Sequence, residues 1–183
     1  MKPMVTTGTP GLHVAGLAVT SASTPAAVPV RAAYAALHDA RFPVSAVATV
    51  IHVGPGPVGP VSAAVRDGIG AGRCRRAFDV DGGPAAVIAA LAVGASLLDD
   101  TGAVLITVVE QDGATASIVL TGGSSAAATM DIDRARTDRS PYVLRSTSPV
   151  RGLLDARASG HRDVVLVSDG ENTPAASVRC LFD

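Results

Sequence analysis

Aromatic residues make up only 3% of this 183-residue chain, and tryptophan is absent. A core with so few large rings has to be built from Ala, Val, Leu and Ile stacked closely, which suits thin layers of helix and sheet. An excess of one charge is missing as well: 15 basic and 16 acidic side chains leave a formal net charge of -1. The single-sign field that draws a protein onto nucleic acid or an anionic membrane is lacking, so neither is expected as a partner. Cysteine is scarce. Cys74 and Cys180 are too few for a disulfide framework and form no CxxC pair, which excludes a zinc ribbon or dithiol exchange and points to a reducing, cytoplasmic setting. Long apolar runs are missing too, since the longest, Pro84 to Leu98, falls short of the ~20 residues that cross a bilayer. Lys2 ahead of Gly11 to Thr20 has the outline of a signal peptide, but His13 interrupts the run and its Val/Leu/Ala alternation suits a strand, so the segment is kept in the fold.

Hydrophobic residues nonetheless reach 48% of the chain. At this length one domain, spanning residues 1–183, can bury ~70% of the surface its unfolded chain exposes, and disorder of the whole is excluded. Leu12 to Thr20 reads as a strand, followed by a helix with Val30, Ala33, Tyr34 and Leu37 at i, i+3, i+4 and i+7. The unit repeats: Ala46 to Val53 is β-rich, and Val61, Ala64, Val65, Gly68 and Ile69 mark a helix closed by Gly70 and Gly72. Ala77 to Val80, a short strand, leads into Pro84 to Leu98, apolar on all sides, with Pro at the first helical position and Gly102 beyond the end. Such a helix is expected to lie buried between two layers.

Ala103 to Val109 and Ala114 to Leu120 flank Glu110-Gln111-Asp112-Gly113 and read as an antiparallel hairpin. Val164 to Gly170 and Ala175 to Val178 echo that pair, a weak internal repeat. A helix from Pro149 to Ser159 precedes the second pair, with Ser148 as its cap and Gly160 as its stop. Residues 121–141, small and then charged, read as a mobile or disordered surface loop.

In order along the chain stand Ala32-Ala33-Tyr34-Ala35-Ala36-Leu37-His38-Asp39-Ala40, Val50-Ile51, Gly68-Ile69-Gly70-Ala71, Ala77-Phe78-Asp79-Val80 opening an apolar helix, and Asp112-Gly113-Ala114. Over residues 11–121 this series resembles the amino-terminal half of β-ketoacyl-acyl-carrier-protein synthase III of the thiolase superfamily. Asp163 to Phe182 is similar to the family's last hairpin. The resemblance implies an α/β fold, a thiolase-like mixed sheet with a buried helix, made of two similar halves of which the second is largely deleted here. It also implies that the nucleophile, a cysteine at the start of the buried helix in the family, falls at Pro84, which has no side-chain atom able to attack a thioester. Residues 122–162 are too few to hold the half that supplies the family's catalytic His and Asn. The implied protein is a degenerate, non-condensing relative that binds an acyl chain or partners a full-length ketosynthase in fatty-acid or polyketide biosynthesis, with an acyl carrier protein or acyl-CoA as the further partner. In the family the strand before the nucleophile helix pairs across a two-fold axis, which assigns Phe78 and Val80 to a dimer contact.

Other candidate chemistry is sparse. His52, in Val50-Ile51-His52-Val53-Gly54, stands, by the pseudo-symmetry that the resemblance implies, where the second half would carry the family's catalytic His. It is the first candidate for acid/base work in an alternative reading as an acyl-thioester enzyme of transfer, hydrolysis or cyclisation, and otherwise a hydrogen-bonded strand-end histidine. His13, His38 and His161 have weaker claims. Arg73, Arg75 and Arg76 surround Cys74 and could hold a phosphate or a carrier surface, or simply form a solvated turn in which the thiol has no role. Asn172-Thr173-Pro174 is similar to the family's motif around its Asn, but a hairpin turn is the preferred reading. Asp79 and Asp81 alone make no metal pair, Gly54 to Gly59 has no nucleotide-loop spacing, and no cofactor is expected. A purely structural or regulatory module is the third reading.

Overall fold

The computed structural model describes residues 11–21, 28–55, 60–99, 102–110, 113–122, 141–170 and 173–182. Residues 123–140, most of the expected surface loop, lie outside the described residues, as do Asp112 and Asn172. The first half runs β1 (Leu12–Thr20), α1 (Val28–Asp39), β2 (Val47–Gly54), α2 (Val61–Gly68), β3 (Arg76–Asp81), α3 (Pro84–Ser96), β4 (Ala103–Val109) and β5 (Thr115–Thr121). A shorter second part follows as β6 (Tyr142–Arg145), α4 (Pro149–Ala158), β7 (Asp163–Gly170) and β8 (Thr173–Leu181). β6 is the element that the sequence pattern does not announce.

The strand order is β3-β2-β4-β5-β1-β8-β7-β6. β2 pairs in parallel with β3 and β4, β5 runs antiparallel to β4 and β1, and β6 is parallel to β7, which runs antiparallel to β8. Among the described residues, the two parts of this mixed sheet join where Leu12 pairs with Cys180 and His13 with Leu181. α3 and α4 pack against both parts beside this short seam. One core shows this directly: Val87, Ile88 and Leu91 of α3 and Val150 and Leu153 of α4 pack with Ile51, Ile106 and Ile118 on one side and with Val164, Leu166 and Val178 on the other. A second core lies on the opposite face of the first sheet, where α1 and α2 set Ala33, Ala36, Leu37 and Val65 against Val47, Val50, Leu105 and Val119.

Alanine makes these layers thin. α1 crosses β1 so closely that a Cβ added at Gly16 would stand 2.3 Å from the Ala36 carbonyl oxygen and 2.8 Å from the Ala40 nitrogen. α1 buries Ala32, Ala33, Ala36 and Leu37, whereas Tyr34, expected on the buried stripe, is exposed and donates its hydroxyl to the Ile69 carbonyl at 3.2 Å. α3 starts with Pro84 at its first turn, as its sequence suggests. It is sandwiched but not buried all round. Val87, Ile88, Ala90, Leu91 and Gly94 are inside, while Ala89, Ala92, Val93 and Ser96 form an exposed stripe. Exposing alanine costs little, since it has little apolar area per residue. The stretch from Leu12 to Thr20 is a strand paired on both sides, and no helix among the described residues is long and apolar enough to cross a membrane.

The sequence repeat is a structural one. β3–α3–β4–β5 and β6–α4–β7–β8 are each a strand, a helix opening on proline, and an antiparallel hairpin. Asp39 ties the parts together: its Oδ2 accepts the Leu17 N–H at 2.9 Å beside the β1 bulge and the Arg157 guanidinium of α4 at 2.7 Å. Burial alone would raise its carboxyl, but the hydrogen bonds from Arg157 and from the Leu17 N–H outweigh it and hold Asp39 below the usual range.

Candidate functional site

α3 and α4 both begin at one end of the molecule, where the parallel strands β2, β3 and β4 finish. Ligand clefts in open α/β sheets form at such carboxyl ends, because the chain leaves each strand there to enter a helix. The cleft has a volume of about 500 Å³. Val53, Val87, Val108, Val109, Pro84 and Pro149 give it an apolar lining, which Gly82 and Gly83 join at the β3–α3 turn. Gly82 carries φ 140°, a conformation that favours glycine, and its N–H reaches the Gly54 carbonyl at 3.3 Å, closing the ends of β2 and β3 together. Asp81, Glu110 and Thr147 supply the polar side chains of the lining, which contains no Cys, Ser, His, Lys or Arg among the described residues.

Glu110 is 3% exposed and does what Ser148 was expected to do. Ser148 makes no side-chain cap bond. Instead Glu110 Oε1 accepts the N–H of Val150 at 3.1 Å and of Arg151 at 3.3 Å, so a carboxylate from the end of β4 satisfies the first turn of α4. The β4–β5 turn fixes its backbone: the Glu110 N–H bonds the Ala114 carbonyl at 2.8 Å, and the N–H of Gly113, at φ 77°, bonds the Glu110 carbonyl at 2.9 Å. Sequence reasoning missed Glu110. The available signal was indirect, namely that α4 has no acidic residue in its own first turn and needs an acceptor from elsewhere.

His52 lies across the sheet from this cleft. Its neighbours Ile51 and Val53 belong to the core around α3, and Val50 to the core under α1 and α2, so strand alternation turns His52 toward the α1/α2 side. The structure therefore does not bring His52 and Pro84 into one site. In register with His52 stand Asp79 on β3, Thr107 on β4 and, beyond Thr107, Ser117 on β5, a polar row across four strands. His52 Nδ1 and Thr107 Oγ1 are 2.8 Å apart. Asp79 accepts the N–H and the hydroxyl of Ser62 in the first turn of α2, each at 2.9 Å. Burial pulls the His52 pKa below 6.5, and the nearby Asp79 charge offsets this only in part. A lowered pKa in the folded state means that protons favour the unfolded chain. The associated stability is complete above pH 6.5 and declines as pH falls from there through the folded-state value. Urea midpoints should thus fall between pH 7.5 and 5, and His52→Gln, which can keep a bond to Thr107, should flatten that slope; an unchanged slope would refute the assignment.

The remaining candidates are dispersed. Arg73 and Arg75, just before β3, and Arg76, its first residue, are exposed, Arg76 roughly 16 Å along the strand from Asp81 and the cleft. Cys74, beside them, is half-buried, lines an open hollow of about 430 Å³ with Arg66 and Asp67, and donates its thiol to the Arg76 carbonyl at 3.1 Å. Cys180 is buried, and desolvation pushes its thiol up to about 12. Phe78 and Val80 are partly buried against the core around α3, on the strand that ends the sheet. His13 bonds Thr121 at 3.1 Å, and His161 stacks on Tyr142 with ring centroids 4.0 Å apart. Among the described residues no group of three His, Cys, Asp or Glu side chains could hold a metal ion.

No protein-family model and no curated protein sequence matches the chain. Solved structures do. The 3-oxoacyl-[acyl-carrier-protein] synthase III of Aquifex aeolicus VF5 superposes with a TM-score of 0.70 at 11% identity, over 92% of this chain and 99% of that one. The fold is thiolase-like. ChlB3, an acyltransferase, gives 0.70 at 10% identity over 94% and 98% of the two chains, and AbyA1, a tetronic acid condensing enzyme, gives 0.66 at 14% over 90% and 97%. These neighbours of one thiolase-like fold carry different named chemistries, so the fold does not by itself choose among them. Within it, the chain places Pro84 at the opening of α3, on the wall of the cleft.

Proposed function

We propose that this protein is a non-condensing, ketosynthase-III-like subunit that holds an acyl group in the cleft where α3 and α4 begin. The observation that carries the reading is the lining itself: valine and proline walls around about 500 Å³, with Pro84 at the head of α3. Such a cleft buries an alkyl chain favourably, at ~0.8 kcal/mol per methylene, and Pro84 cannot take the acyl group covalently. The exposed guanidinium groups of Arg73, Arg75 and Arg76 offer contacts to the phosphate or acidic surface of an acyl carrier protein or to acyl-CoA. A partner subunit, either a second copy or a full-length ketosynthase, fits β3, which ends the sheet and carries the half-buried Phe78 and Val80. The thiolase-like fold and the named acyl chemistry of its structural neighbours support this reading.

Octanoyl-CoA tests it directly. Native mass spectrometry should show a reversible complex that vanishes on denaturation, and Val87→Trp, which fills the cleft, should weaken binding by about tenfold or more. A stable acyl adduct on residues 80–90 would sink the non-condensing role, and absence of any complex would sink acyl binding.

A further inference from the structure

We infer that the polar row beneath α1 and α2 is the binding site of one internal water molecule, which joins Thr107 of β4 to Ser117 of β5. The row runs Asp79, His52, Thr107, Ser117 and Ala18 in register across five strands, on the face of the sheet that α1 and α2 cover. Thr107 and Ser117 are both 0% exposed. Yet the Ser117 hydroxyl has no hydrogen-bond partner among the described residues. A buried hydroxyl without a partner is rare in native proteins, because it gives up its bonds to solvent and gains none in return. A ligand able to bond it removes that penalty.

The neighbours of Ser117 place this ligand and fix its class. Thr107 Oγ1 and His52 Nδ1 lie 2.8 Å apart, and a hydroxyl offers one donor and two acceptor positions, so the bond to His52 leaves Thr107 with capacity to spare. Thr107 and Ser117 stand directly opposite on antiparallel strands, where Cβ atoms are about 4.5–5.5 Å apart, and two hydroxyls at that spacing that do not bond each other can share one oxygen between them. Only a small molecule suits such a gap. Beyond Ser117 the row continues to Ala18, and α1, packed over β1, β4 and β5, buries Ala32, Ala33 and Ala36, side chains that occupy little space. Two neutral hydroxyls call for an uncharged molecule that donates and accepts at once. Water meets both needs, and internal waters typically satisfy buried polar groups in this way. The bridge makes one hydrogen-bonded chain from His52 through Thr107 and water to Ser117, across three strands.

A high-resolution crystal structure of the wild-type protein tests this directly. Density for a single oxygen about 2.5–3.0 Å from both Thr107 Oγ1 and Ser117 Oγ is expected. Thr107→Val keeps the outline of the side chain and removes one partner, so in that variant the density should disappear. Wild-type density in which the Ser117 hydroxyl turns onto a backbone carbonyl, with protein atoms filling the gap, would overturn the inference, and so would an oxygen that persists unchanged in Thr107→Val. Unfolding gives an independent answer in solution. Removing a water-bonded hydroxyl by Ser117→Ala should lower the urea midpoint by about 0.4 M, whereas removing an unpartnered one relieves its desolvation and raises the midpoint. A rise would therefore count against the water. If Thr107→Val does not fold, the wild-type density and the direction of the Ser117→Ala shift still decide the matter.

Discussion

Leu91→Ala should lower the stability of the protein by about 2–5 kcal/mol, the range for truncating a fully buried leucine, and its Tm by roughly 5–20 °C. Leu91 is completely inaccessible and sits in α3, the helix that both parts of the sheet share. Its side chain belongs to the core in which Ile51 and Ile106 from one part of the sheet meet Leu166 and Val178 from the other. Among the described residues, the two parts of the sheet are bonded to each other through two residue pairs, Leu12 with Cys180 and His13 with Leu181. Cohesion between them rests mainly on what α3 and α4 bury, and a cavity at Leu91 removes contacts on both sides at once. Partial collapse is also hindered, because Gly94 one turn on already brings α3 close to Leu120, Val104 and Ile106. Urea or thermal unfolding of the variant beside Ala92→Ser, at an exposed position of the same helix, checks the claim. A loss for Leu91→Ala no larger than for Ala92→Ser would show that α3 is not the joint between the two parts of the sheet.

Much of the first half is legible because its strands and helices bury alternate or periodic faces in ways that composition records. β1 and β4 follow the alternation and β-propensity of Leu12 to Thr20 and Ala103 to Val109, and Pro84 and Pro149 mark the openings of α3 and α4. The face of His52 is not legible. β2 is covered on both sides, so Val50, Ile51 and Val53 are apolar whichever way they point, and no alternation records that His52 turns toward α2 rather than toward the cleft. β6 escapes for the opposite reason: Tyr142 to Arg145 is only four residues long, mostly exposed, and gains its strand identity from pairing with β7. Glu110 escapes because a carboxylate at a strand end looks like an ordinary turn residue until the start of α4, 40 positions later in the chain, comes to rest on it. Burial on both faces, pairing at an edge and capping from a distance are tertiary facts, and the candidate site depends on two of them.

Phe78→Asp should convert the proposed two-fold dimer into a monomer of 18.2 kDa. β3 ends the sheet, so one side of its backbone meets β2 while the other has no strand partner among the described residues. Pairing with β3 of a second copy would satisfy that edge and shield Phe78 and Val80, both only partly covered by the core around α3. The exposed stripe of Ala89, Ala92 and Val93 on α3, with Val93 41% exposed, adds apolar surface that a partner can bury. An aspartate at position 78 appears twice in a symmetric pair. With about 2 kcal/mol lost at each copy, the dissociation constant should rise by about a thousandfold. Light scattering of wild type and variant gives the masses, and urea melts of both proteins, taken at a dilution where each is monomeric, separate lost association from lost folding. A wild-type protein that stays a monodisperse monomer, alone and mixed with a full-length ketosynthase, would rule out β3 as the contact, because the unpaired edge would then be tolerated without any second strand.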